Sequence, residues 1–343
     1  MSRKPSDFEY DLPADRIAQE PLPDRAASRL LVLERATGAI THRHFPDIAE
    51  LIPAGDVLVI NTSRVIPARL HGKRESGNTA EILLVRSLTD GTWLAMGRPG
   101  GKLKAGRRVT FGDDSALEVV EVLGGGLRRV RFVGALDPRA TVAKYGEVPL
   151  PPYIRRPPTA ADRERYQTVY ATHEGSVAAP TAGLHFTMAL LERLRAKDVA
   201  VASLDLHVGP GTFKPVEVDD LGAHIMHPED YEILQRTAEL INETKGVGRG
   251  VWAVGTTVVR ALEAASDARG RVQAGAGETS LFIRPPFEFK VVDRLLTNFH
   301  LPRSTLLMLA CAFGGYEAVM GAYQEAVREG YRFYSYGDAM AII

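Results

Sequence analysis

The sequence predicts an α/β protein whose main domain, built on a largely parallel or mixed sheet, is interrupted by an inserted small β-barrel domain. Three observations carry that expectation. From about Asp162 onward, helical and strand segments alternate, the pattern of strands joined by crossover helices. Between residues 68 and 148, short strands follow one another with no helical stretch among them, as in a small closed barrel. At 343 residues the chain also exceeds the size at which one hydrophobic core keeps growing, so two domains are expected.

The elements follow in order. Residues 30–61 read as strand, turn, strand, helix and strand: LLVLERATGAITHRHF, then IAELI and the apolar DVLVINTS. After Pro67 come ARLHGKR, AEILLVRSL, TWLAMGR, RRVTF, ALEVVEVL and LRRVRFV, separated by SGNT, TDG, RPGGKLKAG, GDD and GGG. These separators are rich in turn formers. The run ends in EVPLPPYIRRPP (147–158), whose prolines oppose helix and sheet interior alike and mark a linker. The barrel is therefore expected at 68–148, and a discontinuous α/β catalytic domain at 1–67 and 149–343. In the second half, MALLERLRAKDV sets Leu190, Leu191 and Leu194 on one helical side. VAVASLDLHVG is a strand whose end delivers His207. A helix (AELINETKGVG), a buried strand (VWAVGTT) and a further helix (VVRALEAASDARG) come next. KVVDRLLTNFH and one long apolar helix, STLLMLACAFGGYEAVMGAYQEAVREG, complete the series.

Composition narrows the class. Apolar residues make up 45% and charged residues 24%, as in a folded soluble protein. The longest strongly apolar run, Thr305 to Phe313, is too short to span a bilayer. The start, MSRKPSDFEYDLP, lacks the apolar core of a signal peptide. The single cysteine, Cys311, excludes internal disulfides and multi-cysteine metal sites. A cytoplasmic protein without membrane association is expected. Net charge is zero, from 42 basic and 42 acidic residues, whereas a dedicated nucleic-acid binder tends to a basic excess. Placement matters more, because phosphate contacts need only a local positive face. Arg98 to Arg108 (RPGGKLKAGRR) holds five basic residues and no acid, and Arg128, Arg129, Arg131, Arg155 and Arg156 follow. A solvated loop rim explains these equally well.

Four of the nine histidines fall between His185 and His227, each beside Gly, Pro or Thr rather than on a periodic apolar face. Histidine suits proton transfer because its unperturbed pKa lies nearest neutrality. In an open α/β sheet, ligands sit at the carboxyl ends of strands. Three marked segments are expected there: His207 to Thr212, Gly255 to Thr257 and Thr297 to His300. In GTTVVRALE, Thr256 or Thr257 is placed to cap a helix whose free amides attract an anion. Arg260 and Glu263 share a face of that helix, and an ordinary surface ion pair accounts for them. His224 and His227 are three apart, but Pro228 interrupts a helix and no H-E-x-x-H pattern is present, so metal ligation is the weaker reading. YRFYSYGDAM packs four aromatics around Asp338. No P-loop, GxSxG or GxGxxG appears.

Taken in order, these motifs carry a resemblance. DFEYDLPADRIAQEPLPDRAASRLLVL, NTSRVIPARL, YQTVYA, GSVAAPTAGLHFT, HVGPGTFKPV, HIMHPEDYEI, GTTVVRALE, TNFHLPRSTLLMLACAF and YRFYSYGDAMAI run almost end to end. Together they resemble the S-adenosylmethionine:tRNA ribosyltransferase-isomerase family of queuosine biosynthesis. Ser63 and Pro210 depart slightly from the pattern, and neither removes an ionisable group.

The resemblance implies transfer and isomerisation of the ribosyl moiety of S-adenosylmethionine onto 7-aminomethyl-7-deazaguanine at the tRNA wobble position. It implies a monomer with an inserted barrel, no cofactor beyond S-adenosylmethionine as co-substrate, no metal, and tRNA as partner. On the matching positions, His185, His207, His224, His227 and His300 are candidates for acid–base work. Asp338 and Glu229 are candidates to steady a sulfonium or amine. Arg260 is a candidate for the methionine carboxylate beside Thr256 and Thr257. Arg69, Thr181, Gly183, Gly209 and Thr212 complete the expected binding set. A metal-dependent nucleoside hydrolase and a non-catalytic tRNA-binding protein stand as rival readings.

Overall fold

The computed structural model describes residues 4–209, 216, 218 and 220–343. Strands β1 (Arg29–Leu33) and β2 (Ile40–His44) precede helix α1 (Ile48–Leu51), the wholly buried β3 (Val57–Asn61) and the short β4 (Ser63–Val65). Six strands follow without an α-helix: β5 (Arg69–Arg74), β6 (Thr79–Ser87), β7 (Trp93–Arg98), β8 (Arg108–Gly112), β9 (Ser115–Val122) and β10 (Leu127–Val133). The stretch expected to hold no helix does hold one, α2 (Pro138–Tyr145), started by Pro138 and by the Asp137 side chain, which accepts the Ala140 amide. Helix α2 and β11 (Gly146–Glu147) return the chain. Next come α3 (Asp162–Arg165), β12 (His173–Ser176), α4 (Met188–Ala196), β13 (Ala200–Leu206) and β14 (Glu229–Ile233). Then α5 (Gln235–Gly246), β15 (Val251–Val254), α6 (Thr256–Ala264), β16 (Gly275–Thr279) and β17 (Arg294–Asn298) follow. Helices α7 (Thr305–Gly314) and α8 (Tyr316–Arg328) and strand β18 (Ala339–Ile342) end the chain.

The main sheet has nine strands in the order β16-β14-β13-β3-β15-β17-β18-β1-β2. Its centre, β13-β3-β15-β17, is parallel. Strand β18 is antiparallel to β17 yet parallel to β1, and β14, β16 and β2 add antiparallel flanks, so the sheet is mixed. Both faces are covered. Val57 and Val59 join the core beneath α5, α6, α7 and α8, while Leu58 and Ile60 join a second core with α1 and α4. Successive strand residues point to opposite faces, so a strand buried on both sides must read as a continuous apolar run. VLVIN and VWAV are such runs.

The antiparallel sheet has seven strands in the order β11-β5-β6-β7-β10-β9-β8, and β5 pairs with β8 as well. Pairing therefore runs round in a ring. Gly72 permits the close approach, since a Cβ there would stand 2.5 Å from the Thr110 carbonyl oxygen. Leu70, Ile82, Leu84, Val109, Leu117 and Val130 form the core of this unit.

A further expectation is corrected. The long apolar helix near the end is two helices meeting at 117°. Gly315 (φ 84) ends α7 and precedes the first residue of α8, a left-handed position that glycine occupies at little cost. Removing side-chain bulk at Gly314 also lets Val319 and Ile342 pack, since a Cβ there would meet them at 2.7 and 3.0 Å. Among the described residues, no single helix is long and apolar enough to cross a membrane. The apolarity of α7 reflects burial among its neighbours in the core.

Candidate active site

The carboxyl ends of the parallel strands lie side by side, and one side chain joins two of them. Asn61, ending β3, donates from Nδ2 to the Leu206 carbonyl (2.9 Å), and its Oδ1 accepts from the Leu206 amide (3.2 Å) and the Ser63 amide (3.0 Å). Beyond β13 the chain stays extended. The Val208 amide donates to Ser176 Oγ at 3.0 Å, and that hydroxyl donates to the Ala178 carbonyl at 2.7 Å. Alternate residues of this segment face different spaces. His207 and Gly209 line a cleft of about 950 Å³ between the antiparallel unit and the main sheet. Val208 lines a small pocket of about 40 Å³.

The cleft has an apolar wall, including Val85, Trp93, Leu94, Met96 and Leu127, contributed by the antiparallel unit. His207, His227, Glu229 and Asp230 face it from the main sheet. Two ion-pair groups span it: Arg86 with Asp230 (2.8 Å) and Glu278 (2.7 Å), and Arg139 with Glu174 (3.2 Å). The His207 ring lies over Gly175, where a Cβ would be 2.7 Å from the ring's Cε1. Gly175 also has a φ of 149°, so only glycine fits comfortably. Nδ1 of His207 is buried with no hydrogen-bond partner among the described residues. An imidazole placed this way has a nitrogen available to a ligand or water.

Glu229 and Arg260 form a buried ion pair, with side chains only 5% and 4% exposed. Glu229 Oε1 accepts the Gly209 amide at 3.0 Å, and Arg260 Nε donates to the Leu281 carbonyl at 3.1 Å. The surface pair expected between Arg260 and Glu263 is not formed. Glu263 accepts the amides of Lys290, Val291 and Val292 at 2.9, 3.1 and 3.0 Å. Both side chains are buried because α6 lies inside the main core, its faces covered by sheet and helix. Arg260 thus reaches Glu229, which lines the cleft, rather than Glu263.

The small pocket collects Thr181, Gly255, Thr256, Thr257, Thr297, Asn298 and His300. The cap of α6 is Gly255 (φ 93), with no side-chain hydrogen bond, instead of either threonine. His300 Nε2 lies 2.7 Å from Thr297 Oγ1, which itself donates to the Asn298 carbonyl (3.3 Å). Burial lowers the His300 pKa to about 3, keeping the ring neutral.

Other candidates sit elsewhere. His185 is 3% exposed, with Nδ1 2.7 Å from Ser28 Oγ and Nε2 3.2 Å from Asn298 Nδ2. Burial, reinforced by Arg25 and Arg332, lowers its pKa to about 3. Both ring nitrogens are engaged within the fold. Asp338 accepts the amides of Arg29 (2.9 Å) and Arg332 (2.8 Å), and burial raises its pKa despite them. His224 packs against Phe282 at 5.1 Å outside the cleft lining, its pKa lowered by burial and by His227. Arg69 donates to the Leu150 carbonyl at 3.2 Å. Gly183 leaves room for Tyr170, whose hydroxyl a Cβ would meet at 2.1 Å. Thr212 lies outside the described residues.

Among the described residues, no three His, Cys, Asp or Glu side chains converge as a metal site. Much of the basic stretch is neutralised in place: Arg107 pairs with Glu75 (2.6 Å), Arg108 and Arg131 with Glu118 (2.8 and 3.1 Å), and Arg129 with Asp90. Arg128 is buried and donates to the carbonyls of Leu103, Gly126 and Gly100. Sequence reasoning missed Asn61, Gly175, Arg86 and Asn298. Asn61 and Asn298 lay inside quoted motifs at strand ends, the one signal that would have found them.

A mixed α/β sheet with histidines and helix amides gathered at the carboxyl ends of its parallel strands defines an α/β enzyme. The model of the queuosine biosynthesis protein family matches residues 5–342. The S-adenosylmethionine:tRNA ribosyltransferase-isomerase of Moorella thermoacetica is 50% identical over 340 residues, covering 98% of this chain and 99% of its own. That of Heliobacterium modesticaldum is 50% identical over 339 residues, covering 98% of each. The crystal structure of the S-adenosylmethionine tRNA ribosyltransferase from Thermotoga maritima aligns with a TM-score of 0.58 at 40% identity, over 98% of this chain and 100% of that one. The chain belongs to the queuosine biosynthesis protein family.

Proposed function

We propose that this chain transfers and isomerises the ribosyl moiety of S-adenosylmethionine onto 7-aminomethyl-7-deazaguanine at the tRNA wobble position. The products are epoxyqueuosine in tRNA, adenine and methionine. The names of the full-length relatives support this reading. The observation that carries it is the cleft of about 950 Å³, lined by His207 and Gly209, with the small pocket beside it lined by the intervening Val208.

The chemistry asks for proton management. The positive sulfur acidifies the neighbouring ribose 5′-carbon, and a base must remove a proton there. Adenine leaves more readily if a ring nitrogen is protonated. The attacking amine must first be neutral, and epoxide closure expels methionine. Each step is a proton transfer or a charge to be steadied. His207, with its unpartnered Nδ1, is the foremost candidate for the base, and His227 faces the same cleft. Glu229 serves as a positioning residue, holding the Gly209 amide while Arg260 balances its charge. His185 and Asp338 support the site from within the fold. The cleft-lining Arg163, and Arg139 on releasing Glu174, offer positive charge to the tRNA backbone.

Residues 68–148 act as an inserted barrel, a reading supported by the ring of pairings and the core of its own. Residues 1–67 and 149–343 form the discontinuous catalytic domain. The protein works as a cytoplasmic monomer, without a metal, on tRNA and S-adenosylmethionine. The test is direct: mix the protein with S-adenosylmethionine and tRNA carrying the aminomethyl base. Adenine release and a matching mass gain on the tRNA are expected, and the absence of both would overturn the reading.

A further inference from the structure

We infer that the small pocket at the N-terminus of α6 seats the α-amino-acid head of the sulfonium co-substrate. The carboxylate would lie on the free amides of Thr256 and Thr257 and the Thr257 hydroxyl, and the ammonium on Asn298 Oδ1. This rests on the function proposed above and adds to it the place where the amino-acid end is read.

Four features support the assignment. First, the opening amides of α6 are not capped: Gly255 has no side chain, and the amides of Val258 and Val259 use its carbonyl. Those of Thr256 and Thr257 have no partner among the described residues. Free amides at a helix start, aligned with its dipole, favour a negative group. Second, Thr257 is 8% exposed, and its Oγ1 is buried without a partner among the described residues. A Cβ on Gly255 would stand 3.5 Å from that oxygen and 3.7 Å from Ala182 Cβ, so the hydroxyl overhangs the open face of the glycine, within the pocket. Leaving a hydroxyl buried and unmatched is costly, and a ligand that hydrogen-bonds it removes the cost.

Third, Asn298 is 2% exposed and lines the same pocket. Its Nδ2 is turned to His185 Nε2 (3.2 Å) and the carbonyls of Tyr334 (3.0 Å) and Asp338 (3.5 Å). This fixes the amide's orientation and leaves Oδ1 as a buried acceptor with no partner among the described residues. Donors on one side and an unmatched acceptor on the other suit a zwitterion better than a simple anion. Fourth, the pocket measures about 40 Å³, room for roughly three water-sized groups at ~10–15 Å³ each. Two carboxylate oxygens and an ammonium fill that space, whereas a purine does not. No Asp or Glu appears among the described lining residues to repel the carboxylate. Arg260, the obvious alternative anchor, is already paired with Glu229.

The experiment measures binding of S-adenosylmethionine, of its decarboxylated analogue and of methionine to the wild-type enzyme, T257V and T257S, alongside adenine release. Removing a hydrogen bond to a charged group should weaken binding about tenfold or more. The wild type is expected to bind the decarboxylated analogue at least about tenfold more weakly than S-adenosylmethionine. T257V should lose most of that preference and its affinity for methionine, and T257S should keep both. Equal binding of analogue and co-substrate by the wild type overturns the subsite even if T257V does not fold. A folded T257V with its preference intact does the same. If the wild type releases adenine in either case, only the subsite falls. If it releases none with modified tRNA, the functional reading falls and takes the subsite with it.

Discussion

Arg260 on α6 and Glu229 at the start of β14 are paired inside the fold, and the same carboxylate holds the Gly209 amide. One ionic contact thus fixes both a helix and the segment that carries His207 toward the cleft. Breaking a buried pair from one side leaves an uncompensated charge, which costs more than the pair contributes.

R260M should accordingly destabilise the protein by about 3–5 kcal/mol, read from urea unfolding. The double variant R260M/E229Q should recover part of that loss. Equal stability of R260M and wild type would show that the pair does not act as described.

His207 rests on a glycine that has no acceptable substitute. G175A would bring a Cβ to 2.7 Å from the imidazole, at a φ of 149°. Adenine release should fall about tenfold or more, or ~1.4 kcal/mol in barrier. H207Q should show at least the same loss. Normal turnover in both variants would remove His207 from the chemistry.

Acid should weaken the fold through His185. Its folded pKa is lowered to about 3 by burial, below the unfolded value near 6.5. The contribution is therefore complete above about pH 6.5 and is lost as pH falls toward 3. At pH 5 the loss should be about 2 kcal/mol, from 1.36 kcal/mol per pH unit. Urea unfolding at pH 7 and pH 5 should show a shallower pH dependence for H185N than for wild type.

The Arg86 network spans the cleft at partly exposed positions, so its worth to overall stability is small. R86M should change global stability by less than about 1 kcal/mol while quickening amide exchange in β14 and β7. Unchanged exchange in both strands would mean the two units are held by packing alone.

Much of this was legible in the chain. Turn residues between RRVTF, ALEVVEVL and LRRVRFV announce the antiparallel unit because tight turns need Gly, Asp and Asn. His207, the Gly255–Thr257 turn and His300 were expected together at strand ends; the structure brings Gly255 to Thr257 and His300 to one pocket with Val208, while His207 lines the larger cleft. What the sequence does not reveal depends on distant partners. His185 looks like a site histidine until Asn298, 113 residues away, takes its nitrogen. Arg260 looks available until Glu229, 31 residues earlier, claims it. The break at Gly315 is written in the chain as the dipeptide Gly314-Gly315, a turn signal that the apolar run on its N-terminal side and the periodic run on its C-terminal side outweigh on the sequence alone.

The antiparallel unit is entered at Arg69 and left at Glu147, and these two residues face each other as ladder partners. Partners across an antiparallel pair stand only about 4.5–5.5 Å apart. Seen from the rest of the chain, the whole intervening segment occupies the footprint of a single tight turn. It can be lengthened, replaced or cut away with little geometric demand on what remains, because both ends are already where a two-residue connection would put them. The wall of the cleft that this unit supplies is thus joined to the rest of the chain at one point.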